Sequence, residues 1–274
     1  LLLNSRGKVM TNTIVVPLDG SELSQAALPI ANELATALDS SIVLLASGWG
    51  TTVEELIGYL NDQGTSLSVP FQSSVVPDTF PATAIADAVN APDDAIVMGT
   101  HGRTGFGKAL LGSVSEDVLK RSNNPVLLIG HQAKPFTNFK GSTMVVTTDG
   151  SPISAMVLPR AARWAKALGM KVVVLSATAA GGSPLGTADA GALANAVDSA
   201  VGFFTREGIE ARSETVVGSD AAIAVSDWAN ANDIALVAMA THGRGGLART
   251  ALGSTTMRTV HNCHCPVLVQ KPVG

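Results

Sequence analysis

The chain has 274 residues, a length for one large domain or two of ordinary size. Hydrophobic residues make up 46% and charged residues 15%, which excludes global disorder; a net charge of −4 with no basic block argues against nucleic acid as the main partner. The two cysteines, Cys263 and Cys265, are too close in sequence for an ordinary structural bridge, so a disulfide-built secreted fold is excluded and a reducing, cytoplasmic setting is expected.

Aromatics are only 4%, so the core must be Val, Ile, Leu and Ala, the palette of parallel sheets covered on both faces. No run approaches the roughly 18 apolar residues of a spanning helix, so no membrane partner is expected. Leu1 to Val9 does not read as a signal peptide, and Met10 is taken as the natural start.

In chain order, Thr13 to Leu18 reads as a buried strand and Glu22 to Leu38 has helical spacing. Ile42 to Ala46 is a second apolar run, Val53 to Leu60 a short helix, and Ser66 to Val76 a third strand. Ala82 to Asn90 is helical, Ala95 to Gly99 a strand, Val114 to Ser122 a helix and Val126 to Ile129 a final strand. The same order then returns. Strands are expected at Thr143–Thr148, Val172–Ala177, Glu210–Val217, Ile234–Ala240 and Val267–Gln270, and helices at Ile153–Leu168, Ala190–Arg206, Ala221–Ala231 and Thr255–Asn262.

The repetition extends to particular residues. Val15-Val16-Pro17-Leu18-Asp19-Gly20-Ser21 returns as Val145-Val146-Thr147-Thr148-Asp149-Gly150-Ser151. Thr100-His101-Gly102-Arg103 returns as Thr241-His242-Gly243-Arg244, Gly112-Ser113 as Gly253-Ser254, and Pro125-Val126-Leu127 as Pro266-Val267-Leu268. Four anchors in one order mean a duplicated domain, 10–134 and 142–274, joined near Gln132 to Ser142. Asp19 and Asp149 are 130 apart but Gly112 and Gly253 are 141 apart, so copy two carries 11 more residues between these anchors. The Gly/Ala/Ser/Pro-rich stretch Ala177 to Asp189 is the expected site of this insert, as a mobile loop. Alternating strand and helix predicts two tandem doubly wound five-stranded parallel sheets, with ligands at the carboxyl ends of the strands.

The glycine-rich segment leaves a strand at Gly99, passes Gly102, Gly105 and Gly107, and reaches Gly112-Ser113 before a helix. Such spacing lets backbone amides cradle phosphate, with the helix dipole behind them and Arg103 and Lys108 adding charge. The pattern Gly99-x2-Gly102-x9-Gly112-Ser113, with Asp19 after the first strand and Pro125-Val126-Leu127 in the last, resembles the ATP-binding loop of the universal stress protein family. The resemblance covers almost the whole chain as two domains in tandem. It implies an adenine nucleotide alpha-hydrolase-like, Rossmann-like fold and ATP, with Mg²⁺ assisting on the phosphates. It places Asp19 and Asp149 on the ribose or adenine side. The nucleotide-binding residues it implies are Pro17, Asp19, Met98, Gly99, His101, Gly102, Arg103, Gly112, Ser113 and Val114 in copy one. In copy two they are Asp149, Met239, Ala240, Gly243, Arg244, Gly253, Ser254 and Thr255. Copy two departs from the pattern at Ala240, where the first glycine would stand.

Each position also has a plainer reading. Asp19 or Asp149 would serve equally as a helix cap, although Pro152 at a first helical position makes Ser151 the natural cap there. Ser113 and Glu116 have capping-box spacing. His101 and His242 have no evident nucleophile or carboxylate partner, and no catalytic residue is assigned. His261, Cys263, His264 and Cys265 do not match a standard zinc spacing, and no metal site is assigned. The leading expectation is a nucleotide-binding regulatory or stress-protective protein. A slow ATP-hydrolysing enzyme and a nucleotide-independent scaffold remain as alternatives. By the same resemblance, Val126–Ile129 and Val267–Gln270 are expected to pair as an intramolecular pseudo-dimer, and further association into a homodimer is open.

Overall fold

The computed structural model describes residues 13–48, 50–100, 111–134, 138–185, 189–241 and 253–271. They fall into two compact units, one reaching Ile129 and the other comprising Gly130–Lys134 and the residues from Asn138 onward. Unit one contains β1 (Thr13–Pro17), α1 (Glu22–Gln25), α2 (Ala27–Leu38), β2 (Ser41–Gly48), α3 (Val53–Gly64), β3 (Phe71–Pro77), α4 (Pro81–Asp87), β4 (Ala95–Gly99), α5 (Ser113–Arg121) and β5 (Val126–Ile129). Its strands lie in the order β3-β2-β1-β4-β5 and every resolved pairing is parallel. Unit two contains β6 (Thr143–Thr147), a 3-10 turn (Ser154–Val157), α6 (Leu158–Leu168), β7 (Lys171–Thr178), α7 (Ala190–Arg206), β8 (Ala211–Val217), α8 (Ala221–Ala231), β9 (Leu236–Ala240), α9 (Ser254–Asn262) and β10 (Val267–Gln270). Its order, β8-β7-β6-β9-β10, is the same arrangement, again parallel.

The central strands are continuous apolar runs because helices cover both faces. All of β4 and β5, and all of β9 and β10, are buried. The α2 helix buries Ala27, Leu28, Ile30, Ala31, Leu34 and Ala35, one stripe at helical spacing.

Three features differ from the sequence expectation. The helix expected over Glu22–Leu38 breaks at Ala26, and its counterpart begins as a 3-10 turn before α6. Pro29 and Pro159 explain both breaks. Neither has an N–H to donate to the carbonyl four residues back, so each helix restarts there. The third strand begins at Phe71 rather than Ser66, because Leu67 N–H turns back to the Gly64 carbonyl and Pro70 has no donor for a ladder. The insert in copy two is shared between helix and loop: α7 has 17 residues against 12 in α3. The loop part is a hydrogen-bonded hairpin where a mobile loop was expected. Ala179 N–H donates to Ser183 O at 2.7 Å, Leu185 N–H to Ala177 O at 3.0 Å, and Thr178 bridges Pro184 antiparallel. Gly181 and Gly182, at φ +98° and +83°, supply the reversal.

Two polar anchors hold the edges of this scaffold. Asp94, buried beside the start of β4, accepts from Thr13 N–H at 2.8 Å through one oxygen; through the other it accepts from Asn90 and Ala91 N–H at 2.9 and 2.8 Å. In unit two, Asp220 caps α8 by accepting from Ala222 and Ile223 N–H, and its second oxygen receives the Arg258 guanidinium of α9. The Ile223 amide, with help from Arg258, holds the Asp220 carboxyl below the usual carboxylate range.

Asp94→Ala leaves the amides of Thr13, Asn90 and Ala91 without this partner, the first and last half-buried, and is expected to cost about 2–4 kcal/mol, read from urea unfolding. Asp220→Asn is expected to destabilise at neutral pH. Because the folded carboxyl titrates below the unfolded one, this stability is present above an unfolded value of about 3.9 and is lost as pH falls through the lowered folded value. Melting curves of both proteins at stepped pH should therefore converge in acid.

Candidate functional site

The strand order reverses between β1 and β4, and again between β6 and β9, opening a crevice at the carboxyl ends of these pairs. The register Ile14↔Ala95 and Val15↔Ile96, carried along the strands, puts Asp19 level with Thr100. Met144↔Leu236 and Val146↔Ala238 likewise put Asp149 level with Thr241. Each Asp therefore lies on the strand next to the one from which the glycine-rich segment leaves.

The carboxylates are fixed by their own turns. Asp19 Oδ1 accepts from Ser21 N–H at 3.0 Å and from Ser21 Oγ–H at 2.6 Å. Asp149 Oδ1 accepts from Ser151 N–H at 3.0 Å. Neither Asp caps the following helix. Ser21 Oγ accepts from Ser24 N–H, and Ser151 Oγ from Ser154 N–H, so the capping work falls to the serines in both units.

Across the crevice, the glycine-rich segment is closed at its base. Gly112 N–H donates to Thr100 O at 2.7 Å and Gly253 N–H to Thr241 O at 2.6 Å. Ser115 Oγ–H reaches the carbonyls of Gly99 and Thr100, both at 3.2 Å, and Thr256 Oγ1–H reaches Ala240 O at 3.1 Å. Ser115 and Thr256 were not singled out from the sequence, although, like Thr100 and Thr241, they occupy matching places in the two copies. They pin the start of α5 and α9 onto the end of the neighbouring strand.

Both helices begin on glycine. Gly112 and Gly253 are the cap residues, in extended conformation and without a capping side chain, and their carbonyls take Glu116 and Met257 N–H. The capping box expected of Ser113 and Glu116 is thus not formed. The helix starts one residue earlier, which leaves Ser113 exposed in the first turn, as Ser254 and Thr255 are in unit two. The first-turn amides therefore end on the crevice with no side-chain cap of their own, and the positive end of the helix dipole lies with them.

Packing by itself requires the glycine at 99. A Cβ there would lie 2.7 Å from the backbone oxygen of Leu23, so its absence admits the start of α1 against β4. In unit two the segment matching α1 is a 3-10 turn, and Ala240 is accommodated. Met98 and Met239 are buried and Pro17 and Val114 half-buried. His101, Gly102, Arg103, Gly243 and Arg244 lie outside the described residues.

Among the described residues, no group of three or more His, Cys, Asp or Glu side chains is placed to hold a metal ion, and no helix is long and apolar enough to cross a membrane. Cys263 and Cys265 are buried free thiols. Hydrogen bonding with Cys265, together with burial, pushes the Cys263 thiol far up, opposite to what a nucleophile needs.

Fold and crevice together define a tandem α/β protein with the same strand-end crevice in each half. The model of the universal stress protein family matches residues 52–130 and 142–271, and the chain belongs to this family. A universal stress protein of Mycobacterium tuberculosis, Rv2005c, is 27% identical over 183 residues, 64% of this chain. The chain spans 61% of the length of that relative. Universal stress protein MJ0531 of Methanocaldococcus jannaschii is 30% identical over 155 residues, covering 47% of this chain and 89% of the relative. Among solved structures, a universal stress protein from Archaeoglobus fulgidus shares the fold at TM-score 0.64 and 22% identity, covering 94% of this chain and 98% of its own.

Gly99→Ala forces a methyl onto a backbone oxygen and is expected to destabilise by about 1–3 kcal/mol. Ala240→Gly is expected to cost no more than about 1 kcal/mol. Denaturant midpoints of the two variants measure the contrast.

Proposed function

We propose that unit one holds an adenine nucleotide, ATP, and that the chain acts as a nucleotide-binding regulatory protein with a stress-protective role. The reading is carried by one juxtaposition. An α5 N-terminus with no side-chain cap is pinned at the end of β4, and a turn-fixed carboxylate, Asp19, stands one strand away. Phosphates suit the amides of Ser113 and Val114, where charge-assisted hydrogen bonds and the helix dipole act together. A carboxylate that accepts two hydrogen bonds suits the sugar and base side, which offers donors.

The order of these two features across the crevice also gives a nucleotide its direction, anionic end toward β4 and α5 and neutral end toward β1. Magnesium is expected to arrive with the phosphates, since this ion is commonly held by phosphate oxygens, waters and one or two carboxylates. Membership of the family and the paired glycine motifs support the same reading.

Calorimetry on protein stripped of carried-over ligand is expected to give ATP binding at micromolar affinity. Asp19→Asn keeps an acceptor for the Ser21 amide and removes the charge. It is expected to weaken ATP about tenfold or more, as for loss of a hydrogen bond to a charged group. Absence of any adenine-nucleotide heat from the stripped wild-type protein would sink the proposal.

A further inference from the structure

The two crevices differ on the side of the Asp. In unit one, Leu45 O accepts from Leu18 N–H on the β1 side and Gly48 O from Asp78 N–H on the β3 side. Strand carbonyls alternate, so Ser47 O faces the β1 side, beyond the last pair and beside the turn of Asp19. Among the described residues, no turn or loop backbone N–H donates to it. In unit two, Leu175 O accepts from Thr148 N–H on the β6 side and Thr178 O from Gly218 N–H on the β8 side. Ala177 O, at the same offset from Asp149 as Ser47 from Asp19, therefore faces the β6 side. It is taken by Leu185 N–H at 3.0 Å.

The returning arm of the hairpin thus runs beside β7 in the space beyond the end of β6, next to Asp149. The hairpin is self-supporting. Ala179 N–H bonds Ser183 O, Gly182 N–H bonds Ala179 O at 3.0 Å, and Thr178 bridges Pro184. A planar base entering here would have to break backbone hydrogen bonds that water replaces only in part. In unit one α3 begins at Val53, five residues after β2 ends at Gly48, a link too short for a counterpart of this hairpin.

We infer that residues Ala179–Leu185 fill the base side of the second crevice, so that the chain binds a single adenine nucleotide, in unit one. This rests on the nucleotide reading of unit one. The hairpin is then a specificity element: it leaves the anion-facing start of α9 in place and removes room for the base.

The test is the number of ATP equivalents bound by the stripped full-length chain, read by calorimetry and by nucleotide released on denaturation. The wild type is expected to bind one equivalent, and Asp19→Ala to hold that equivalent about tenfold or more weakly. Replacing Ala179–Leu185 with a two-residue Gly-Ser link is expected to add a second equivalent. Leu185→Pro, which removes the N–H donor without shortening the chain, keeps the test sound where the replacement lowers the melting temperature, and is expected to add a weaker one. Two equivalents in the wild type, one retained at wild-type affinity in Asp19→Ala, or one unchanged in both folded hairpin variants would overturn the inference and leave the nucleotide reading standing. No equivalents in the wild type would instead overturn the nucleotide reading and this inference with it.

Discussion

A hydrogen bond of 2.7 Å from Gly112 N–H to Thr100 O, repeated at 2.6 Å from Gly253 to Thr241, holds each candidate site together. It ties the cap residue of a helix to the carbonyl just past the end of the strand that precedes it in sequence. The buried hydroxyls of Ser115 and Thr256 brace the same joint against the strand end. A long glycine-rich connection would otherwise leave the helix free to start anywhere along its length. With the joint closed, the dipole end and its amides are held at one place, beside the Asp that the parallel register sets opposite.

The strand order explains why that place is a crevice. Connections from β1 and β4 depart to opposite sides of the sheet, which opens a gap between the two strand ends. Central strands that are buried on both faces make the floor of this gap rigid. Polar groups at its rim include the Ser21 and Ser151 caps, the two Asp turns, and the exposed Ser113 and Ser254. A rigid apolar floor with a few oriented polar groups is the arrangement that small-ligand sites generally show.

Duplication lets one half serve as the control for the other. The same proline, Pro29 or Pro159, breaks the first helix in both, yet α1 is an α-turn and its counterpart a 3-10 turn. That difference coincides with Gly99 in one half and Ala240 in the other. The residue at the strand end therefore follows from how the helix start packs, where the motif alone suggests a ligand. The insert in copy two, seen from the sequence only as extra small residues, becomes an ordered hairpin once Ala177 and Ala179 find partners.

The order and identity of the strands and helices were legible in the sequence because buried parallel strands are unbroken apolar runs and the chain states its pattern twice. Ala95–Gly99, Val126–Ile129, Ala190–Arg206, Ala221–Ala231 and Val267–Gln270 are bounded as their periodicity and turn residues imply. The Asp, the glycine segment and their duplication were legible for the same reason. What only the tertiary structure decided were the partners: that the serines and not the aspartates cap, that Gly112 and not Ser113 starts its helix, that Leu23 claims the space at Gly99, and that Leu185 returns to Ala177. Periodicity reports which face of an element is buried, a property of consecutive residues. A hydrogen-bond partner or a forbidden methyl depends on atoms brought together from distant parts of the chain, and local patterns carry no record of them.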